Sequence, residues 1–198
     1  MPPLFVTVAV EGLTDVPVAR RLLQHVGFDS GPEHITSGKA RLDVRLGGYN
    51  AAARHHEWLV LRDLDHDGEC APELIGRRLP RPAARMCLRI AVRATEAWLM
   101  ADAVPLAGFL GVRRSLVPPR PDDLDDPKAV LVGLARYSRK RAIRDDMVPA
   151  VGTTARVGPG FAARVIEFAT GEWRPGVASG VSPSLAKAVT ALRRWAHP

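Results

Sequence analysis

Apolar residues fall along the chain in short β-branched runs that alternate with stretches of helical spacing. The runs "LFVTVAV" (4–10), "WLVLRD" (58–63) and "MCLRIAVRA" (86–94) predict buried strands. Helical segments follow each run: "TDVPVARRLLQHVGF" with Thr14 as its N-cap, then "ECAPELIGRRL", then "TEAWLMADAVPLAGFLG" (95–111) as helix, turn and helix. Strands that alternate with helices favour an α/β fold with a mainly parallel, Rossmann-type sheet flanked by helices.

The second half of the chain has helical patterns and lacks the alternation of strands and helices. The Pro-rich, acidic "VPPRPDDLDDP" (117–127) reads as a linker, and helical segments are expected near 161–170 and 183–196. We therefore predict an α/β core over residues 1–112 and a basic, helical C-terminal extension, packed on that core, over 113–198. The last helix should be capped by Ser182 or Ser184 and should bury one apolar stripe, made of Leu185, Val189 and Leu192. The stretch "EHITSGKARLDVRLGGYN" is ambiguous and is compatible with a further strand.

The charge balance favours a polyanionic partner. Lys and Arg number 28 against 21 Asp and Glu, a formal net charge of +7, and nucleic acid is the obvious candidate. The run "RYSRKRAIR" (136–144) is either a solvated helix face or a phosphate contact, and "ARVGPG" (155–160) either a plain loop or a phosphate-binding turn. The candidate nucleic-acid-binding residues are Arg139, Lys140, Arg141, Arg144 and Arg156.

Cysteine usage and the N-terminal run argue for a cytoplasmic protein. Cys70 and Cys87 are too few for a disulfide framework or a structural zinc site. The first apolar run is too short to span a membrane, and neither a basic leader nor a cleavage site accompanies it. We expect no association with a membrane.

Carboxylates follow all three predicted strands at the point where each strand ends. Glu11 follows the first, Asp63, Asp65 and Asp67 end the second, and Glu96 comes shortly after the third. Two carboxylates about 5 Å apart repel by roughly 3 kcal/mol at an effective dielectric near 20. A divalent cation would offset that repulsion, although a solvated turn is the plainer reading of the acidic loop alone. Because parallel strands end at one edge of a sheet, we expect these acids to converge there, with the first two acids of the loop on one side of an extended backbone.

Two other readings of the acidic loop are weaker. A calcium-binding EF-hand loop needs a bidentate Glu at its twelfth position and a helix before it, whereas Leu74 and a strand stand there. A phosphatase of the haloacid-dehalogenase type would use the first Asp of the loop as a nucleophile, with Lys128 and the acid pair 145–146 in later motifs. That reading leaves "VEG" and "ATEAW" unexplained.

The combination of "VEGLTD", a strand that ends in DxD, and a later Glu resembles the TOPRIM fold of topoisomerases, primases and the nucleases of the overcoming-lysogenisation-defect (OLD) family. Successive blocks extend the resemblance over nearly the whole chain, to an uncharacterised TOPRIM-like family (domain of unknown function family 4276). These blocks are "VAVEGLTDVPVARRLL", "LVLRDLDHDG", "RIAVRATEAWLMAD", "RDDMVPAVGTTARVGPGF" and "SPSLAKAVTAL". Members of that family often carry Glu where this chain has Asp15.

The resemblance implies a nuclease that depends on Mg²⁺, or on Mn²⁺, with one or two ions. By this analogy Glu11, Asp63 and Asp65 would hold the first ion, and Glu96 and Asp67 would serve the second. Two ions about 4 Å apart activate water and stabilise the leaving oxygen. The four residues Glu11, Asp63, Asp65 and Glu96 are accordingly the candidate catalytic set.

The resemblance also implies partners. Stand-alone TOPRIM proteins suggest an ATPase partner of the ABC or AAA type and a role in defence against phage or foreign nucleic acid, with DNA favoured over RNA. Hydrolysis is favoured over strand passage, because neither Tyr49 nor Tyr137 stands in a recognisable nucleophile context. The alternative from another class is a non-catalytic subunit that binds nucleic acid or an ATPase. The sequence leaves a homo-oligomer open.

Overall fold

A parallel four-stranded sheet organises the part of the chain that the computed structural model describes, residues 5–68 and 70–196. The strands are β1 (Phe5–Val10), β2 (Asp29–Ile35), β3 (Trp58–Asp63) and β4 (Met86–Ala91), in the spatial order β2-β1-β3-β4. All three neighbouring pairs run parallel. The predicted α/β class with a Rossmann-like sheet is confirmed.

Helices cover both faces of the sheet and form the C-terminal half. There are two single 3-10 turns in the described residues: Arg114–Leu116, just before the segment read as a linker, and Pro121–Asp123, within it. The α-helices are α1 (Asp15–His25), α2 (Lys39–Ala52), α3 (Ala71–Arg78), α4 (Thr95–Met100), α5 (Ala103–Leu110), α6 (Pro127–Arg136), α7 (Arg141–Met147), α8 (Phe161–Gly171), α9 (Pro175–Ala178) and α10 (Pro183–Ala196).

The two central strands are buried on both faces, which explains their continuous apolar runs. Val8 and Leu59 are register partners and face the larger of two apolar clusters, together with α1, α4, α5 and the C-terminal helices. Ala9 and Val60, the next register pair, face a smaller cluster formed with α2 and α3. Because the strands are parallel, their carboxyl ends meet at one edge of the sheet.

The ambiguous stretch, residues 33–50, contains the end of an edge strand that begins at Asp29, and then most of a helix. β2 contains Gly31 and Pro32 and is mostly half-exposed, so it lacks the apolar run that identifies a central strand. In α2, Leu42, Leu46 and Tyr49 are buried at a spacing of four and three residues. That helical stripe was present in the sequence, but two glycines and two arginines in the same helix made it less distinct.

Two further expectations need correction. Thr14 occupies the N-cap position of α1 but makes no side-chain capping hydrogen bond. β4 ends at Ala91, three residues before the predicted limit, and the chain then turns towards α4.

The last helix follows the prediction closely. The Ser182 hydroxyl accepts a hydrogen bond from the Leu185 N–H (3.2 Å), as a capping residue does. The Ser184 N–H is instead bonded to Oδ2 of Asp122, in the segment read as a linker (2.9 Å). Leu185, Val189 and Leu192 are all buried, so the predicted stripe is confirmed.

The C-terminal half shares the core of the first half. Phe168 and Trp173 belong to the same apolar cluster as Val8. The Trp173 indole N–H donates to the carbonyl of Trp98 (3.0 Å), and the Trp98 indole N–H donates to Ser184 Oγ (2.7 Å). The division at residue 112 stays a prediction. No helix in the described ranges is both long and apolar enough to cross a bilayer.

Candidate active site

Carboxylates from three chain segments lie together at the carboxyl edge of the sheet. Glu11 follows β1, and its Oε1 accepts a hydrogen bond from the backbone N–H of Asp63 at the end of β3 (2.9 Å). Asp63 Oδ1 in turn accepts from the N–H of Thr95, the first residue of α4 (3.0 Å). These two bonds join the strand ends to the start of the helix that carries Glu96.

Asp15 also belongs to this group, although its sequence position suggested only a departure from the resembled family. It is the first residue of α1 and its surface is 5% exposed. Its Oδ2 accepts from the Gly12 N–H (2.9 Å) and its Oδ1 accepts from the Thr95 hydroxyl (2.7 Å). Its place on the first turn of α1, four residues after Glu11, was the available signal.

Glu96 is a buried carboxylate without a hydrogen-bond donor. The residue is 1% exposed, and neither carboxylate oxygen has a hydrogen-bond partner among the described residues. The Lys128 ammonium lies 3.3 Å from Oε1, close enough for an ion pair but not aligned as a hydrogen bond. Buried polar groups are nearly always satisfied. The lone pairs of Glu96 are therefore available to a cation.

Burial and mutual repulsion hold the pKa values of these acids high. The pKa of Glu11 is raised from 4.5 to about 7, mainly by burial, against the lowering effect of the Asp63 N–H. Burial also raises the pKa values of Asp15, Asp63 and Glu96, and neighbouring carboxylates add to the effect. Burial lowers the pKa of Lys128, but the surrounding carboxylates outweigh it and the net shift is upward. For these acids, burial and repulsion outweigh the lowering effect of the nearby cations and hydrogen-bond donors.

Asp65 reaches the same site by a different backbone path from the expected one. Its φ is 49°, in the left-handed region, so the DxD segment is not extended. The Lys39 ammonium lies 2.9 Å from Asp65 Oδ2 and 3.1 Å from Asp67 Oδ1. Lys39 is the first residue of α2, so the helix that the sequence left unassigned supplies a counter-charge to the acidic loop.

Asp67 is committed to ion pairs. Besides Lys39, it binds the guanidinium of Arg62, which is 1% exposed and also forms a bidentate pair with Asp43 at 2.8 and 3.0 Å. These cationic neighbours hold the pKa of Asp67 below its usual value, against the effect of burial. With its carboxylate held by these two cations, Asp67 is less available to an ion than Glu96, and its role at a second ion stays a prediction.

A pocket of about 250 Å³ opens in front of the acids. Asp63 and Asp65 line it at the edge of the sheet. Residues 125–128, at the start of α6, line it from the C-terminal half. Four cationic side chains surround it: Lys39, Arg93, Lys128 and Arg156. His66 is exposed and also lines the pocket. A pocket lined by both carboxylates and cations suits an anionic ligand held beside a metal ion.

Of the five predicted nucleic-acid-binding residues, Arg156 alone lines this pocket. The others follow the far end of α6, about 12 Å along the helix from Lys128. Lys140 donates to the carbonyls of Gly108 and Phe109, and Arg144 donates to the carbonyl of Ser138.

The remaining two residues of that set are exposed. Arg141 pairs with Asp145 (3.3 Å), and Arg139 is exposed. Most of this basic run therefore serves local structure, and Arg139 is an exposed member of the set for which the described residues offer no ion pair.

The carboxylates fit a hard divalent cation in their chemistry. Carboxylate oxygens are the donors that Mg²⁺ and Mn²⁺ prefer, and Glu96 offers two buried oxygens without donors. In this conformation no three His, Cys, Asp or Glu side chains of the described residues are grouped closely enough to hold an ion. Binding would therefore require carboxylates to reorient and the lysine ammonium groups to give way.

Comparison with known proteins adds no relative. No protein-family model matches the chain, and no curated protein or solved structure matches it significantly.

Proposed function

We propose that this protein is a metal-dependent nuclease of the TOPRIM type. The observation that carries the proposal is the buried Glu96 carboxylate, without donors, beside Asp63 and Asp15 at the carboxyl edge of a parallel sheet. Buried acids with strongly perturbed pKa values are typical of functional sites and costly as structural elements. The proposed ligands of one Mg²⁺ or Mn²⁺ are Glu11, Asp63 and Asp65. Glu96 and Asp15 are the best-placed acids for a second ion.

In this proposal the carboxylates bind the metal ion and the cationic side chains bind the phosphodiester. When bound, the metal ion supplies Lewis-acid polarisation of a phosphoryl oxygen and lowers the pKa of water. The Thr95 N–H orients the Asp63 carboxylate. Lys39, Lys128 and Arg156 surround the pocket and offer their charge to phosphate oxygens. The net positive charge of the chain favours the approach of a polyanion.

A non-catalytic binding subunit is the second candidate, and one observation favours it. Lys128 and Lys39 already lie within ion-pair distance of Glu96 and Asp65. Two lysines that permanently neutralise the acids would leave a pocket that binds anions without metal.

The haloacid-dehalogenase reading receives less support. Asp145 pairs with Arg141 and Asp146 with Arg164, and neither acid lines the acidic pocket. A partner ATPase, a cytoplasmic location and a role in defence against foreign DNA rest on the motif resemblance alone and belong to the same proposal.

Incubation of plasmid and single-stranded DNA with Mg²⁺ or Mn²⁺ tests the nuclease. We expect cleavage by the unmodified protein and its loss in Asp63→Asn, which keeps the shape of the side chain but removes its charge. Asp123→Asn is the matched control, because Asp123 is exposed, pairs with Arg120 and lies outside the pocket. Cleavage that survives in Asp63→Asn would contradict the proposed site. Binding without metal-dependent cleavage would favour the non-catalytic subunit.

A further inference from the structure

The segment 148–157 is a loop whose two ends are fixed to each other. The Gly158 N–H donates to the carbonyl of Met147 (2.9 Å), and the Gly160 N–H donates to the carbonyl of Asp146 (2.8 Å). A Cβ atom at Gly158 would come within 2.4 Å of the Asp146 carbonyl oxygen, so only glycine allows this close approach. The base of the loop is therefore a rigid junction between α7 and α8.

The body of the loop is held far less firmly. Residues 151–156 are all exposed, and the hydrogen bonds of Thr153 return to Ala150 within the loop itself. Across the described residues, one polar contact joins 149–156 to the rest of the protein, the ion pair between Arg156 and Asp126. Release of that pair would free the tip while the base stays in place.

Both members of this ion pair line the acidic pocket. Asp126 is the N-cap of α6, where its Oδ1 accepts from the Ala129 N–H (3.0 Å), and its Oδ2 takes Arg156. The side chains of Arg156 and Asp126 are 74% and 39% exposed. Exposed ion pairs contribute little to stability, and the capping bond of Asp126 does not depend on Arg156. Arg156 can therefore exchange Asp126 for another partner with little loss of folding stability.

Guanidinium groups bind phosphate in a bidentate manner, at least as well as they bind carboxylate. We propose that Arg156 leaves Asp126 and binds a phosphate of the nucleic-acid substrate, so that substrate holds the loop 148–157 against the pocket. Asp126 is the internal competitor that occupies Arg156 until a phosphate arrives. This inference rests on the proposed nuclease function, because that function supplies a phosphodiester ligand.

A double-mutant cycle on binding distinguishes exchange from a general charge effect. The probe is a short fluorescein-labelled DNA oligonucleotide, single-stranded or duplex, with EDTA to prevent cleavage, and the readout is fluorescence anisotropy at several salt concentrations. Arg156→Ala should weaken binding several-fold and lower the salt slope by about one. Asp126→Asn keeps a good N-cap residue and should tighten binding several-fold. In the Arg156→Ala background, Asp126→Asn should change the affinity less than about twofold, since coupled neighbours are non-additive.

Arg20→Ala is the matched control, because Arg20 is also exposed and paired with a carboxylate, Glu33, but lies outside the pocket. Hydrogen exchange gives an independent readout: oligonucleotide should protect amides of 148–157 in the unmodified protein and not in Arg156→Ala. Equal tightening by Asp126→Asn in both backgrounds would overturn the exchange, as would an Arg156→Ala variant no weaker than Arg20→Ala, or no binding at all. Cleavage that needs Asp63 but shows no such coupling would refute this inference alone. Coupling without cleavage would refute only the nuclease.

Discussion

Replacement of Glu11 by Gln should make the protein without metal more stable at neutral pH. The side-chain oxygen that accepts from the Asp63 N–H is retained, while the ionisable group is removed. The pKa of Glu11 is raised from 4.5 to about 7 in the folded protein. Below pH 4.5 the group is protonated in both the folded and unfolded states and costs nothing. As the pH rises towards 7, the unfolded chain releases its proton first and the folded state loses relative stability.

The size of this effect follows from the width of the pH window. Each pH unit between the two pKa values is worth about 1.4 kcal/mol. The advantage of Glu11→Gln over the unmodified protein should therefore grow by about 3 kcal/mol between the acidic and the neutral end of that window. Comparison of the two proteins removes the opposite contribution of groups such as Asp67, whose pKa is lowered.

Urea unfolding across this pH range, with and without Mg²⁺, measures both halves of the prediction. Metal should narrow the difference above pH 7, because it stabilises the ionised carboxylates of the unmodified protein by about 2.7 kcal/mol at one hundred times the dissociation constant. The gain should be smaller in Glu11→Gln. A constant stability difference between the two proteins at all pH values would refute the raised pKa of Glu11. An identical response of both proteins to Mg²⁺ would refute its role as a ligand.

Two predictions concern stability away from the metal ligands. Leu192→Ala should lower the free energy of unfolding by about 2–5 kcal/mol, because Leu192 is fully buried in the main core. If thermal or urea unfolding shows a change below about half a kcal/mol, as for a typical surface substitution, α10 is loosely packed. Arg62→Met should cost about 3–5 kcal/mol, because it leaves Asp43 and Asp67 without their buried partner. Urea unfolding checks this, and Arg78→Met, which removes a longer and more exposed contact to Asp43 (3.4 Å), is the control and should change stability little.

Local pattern was sufficient for the strands that set the edge of the site. β1, β3 and β4 are buried, so their apolar runs stand out, and the acids after them had to share one edge once the sheet was parallel. The edge strand β2 was left open because it is half-exposed and interrupted by Gly31 and Pro32. Its register with β1 even contains an irregularity between Val6 and Val8, which no local pattern indicates.

The partners of each acid depended on contacts that are distant in sequence. Asp67 belongs to the same short motif as Asp63. The buried Arg62, however, forms ion pairs with both Asp67 and Asp43, a residue of α2. The left-handed backbone at Asp65 also breaks the extended path that would have placed neighbouring acids on one side. Motif spacing reports which carboxylates are near, whereas the buried cations decide which of them stay available.

Lys128 shows why the proposed division of the chain at residue 112 does not divide the function. Its ammonium reaches Glu96 from the start of α6, in the half predicted to be an extension, and Arg156 lines the same pocket from still further along. The acids alone would be an unstable cluster at neutral pH, since burial and repulsion raise the pKa values of Glu11, Asp63 and Glu96 together. Lys128, from the C-terminal half, supplies positive charge beside Glu96 in the protein without metal. In the proposed function, Lys128 and Arg156 would bind phosphate once a metal ion neutralises the acids. A parallel sheet gathers acids at its edge through topology alone, but a site for a phosphodiester needs this second set of residues.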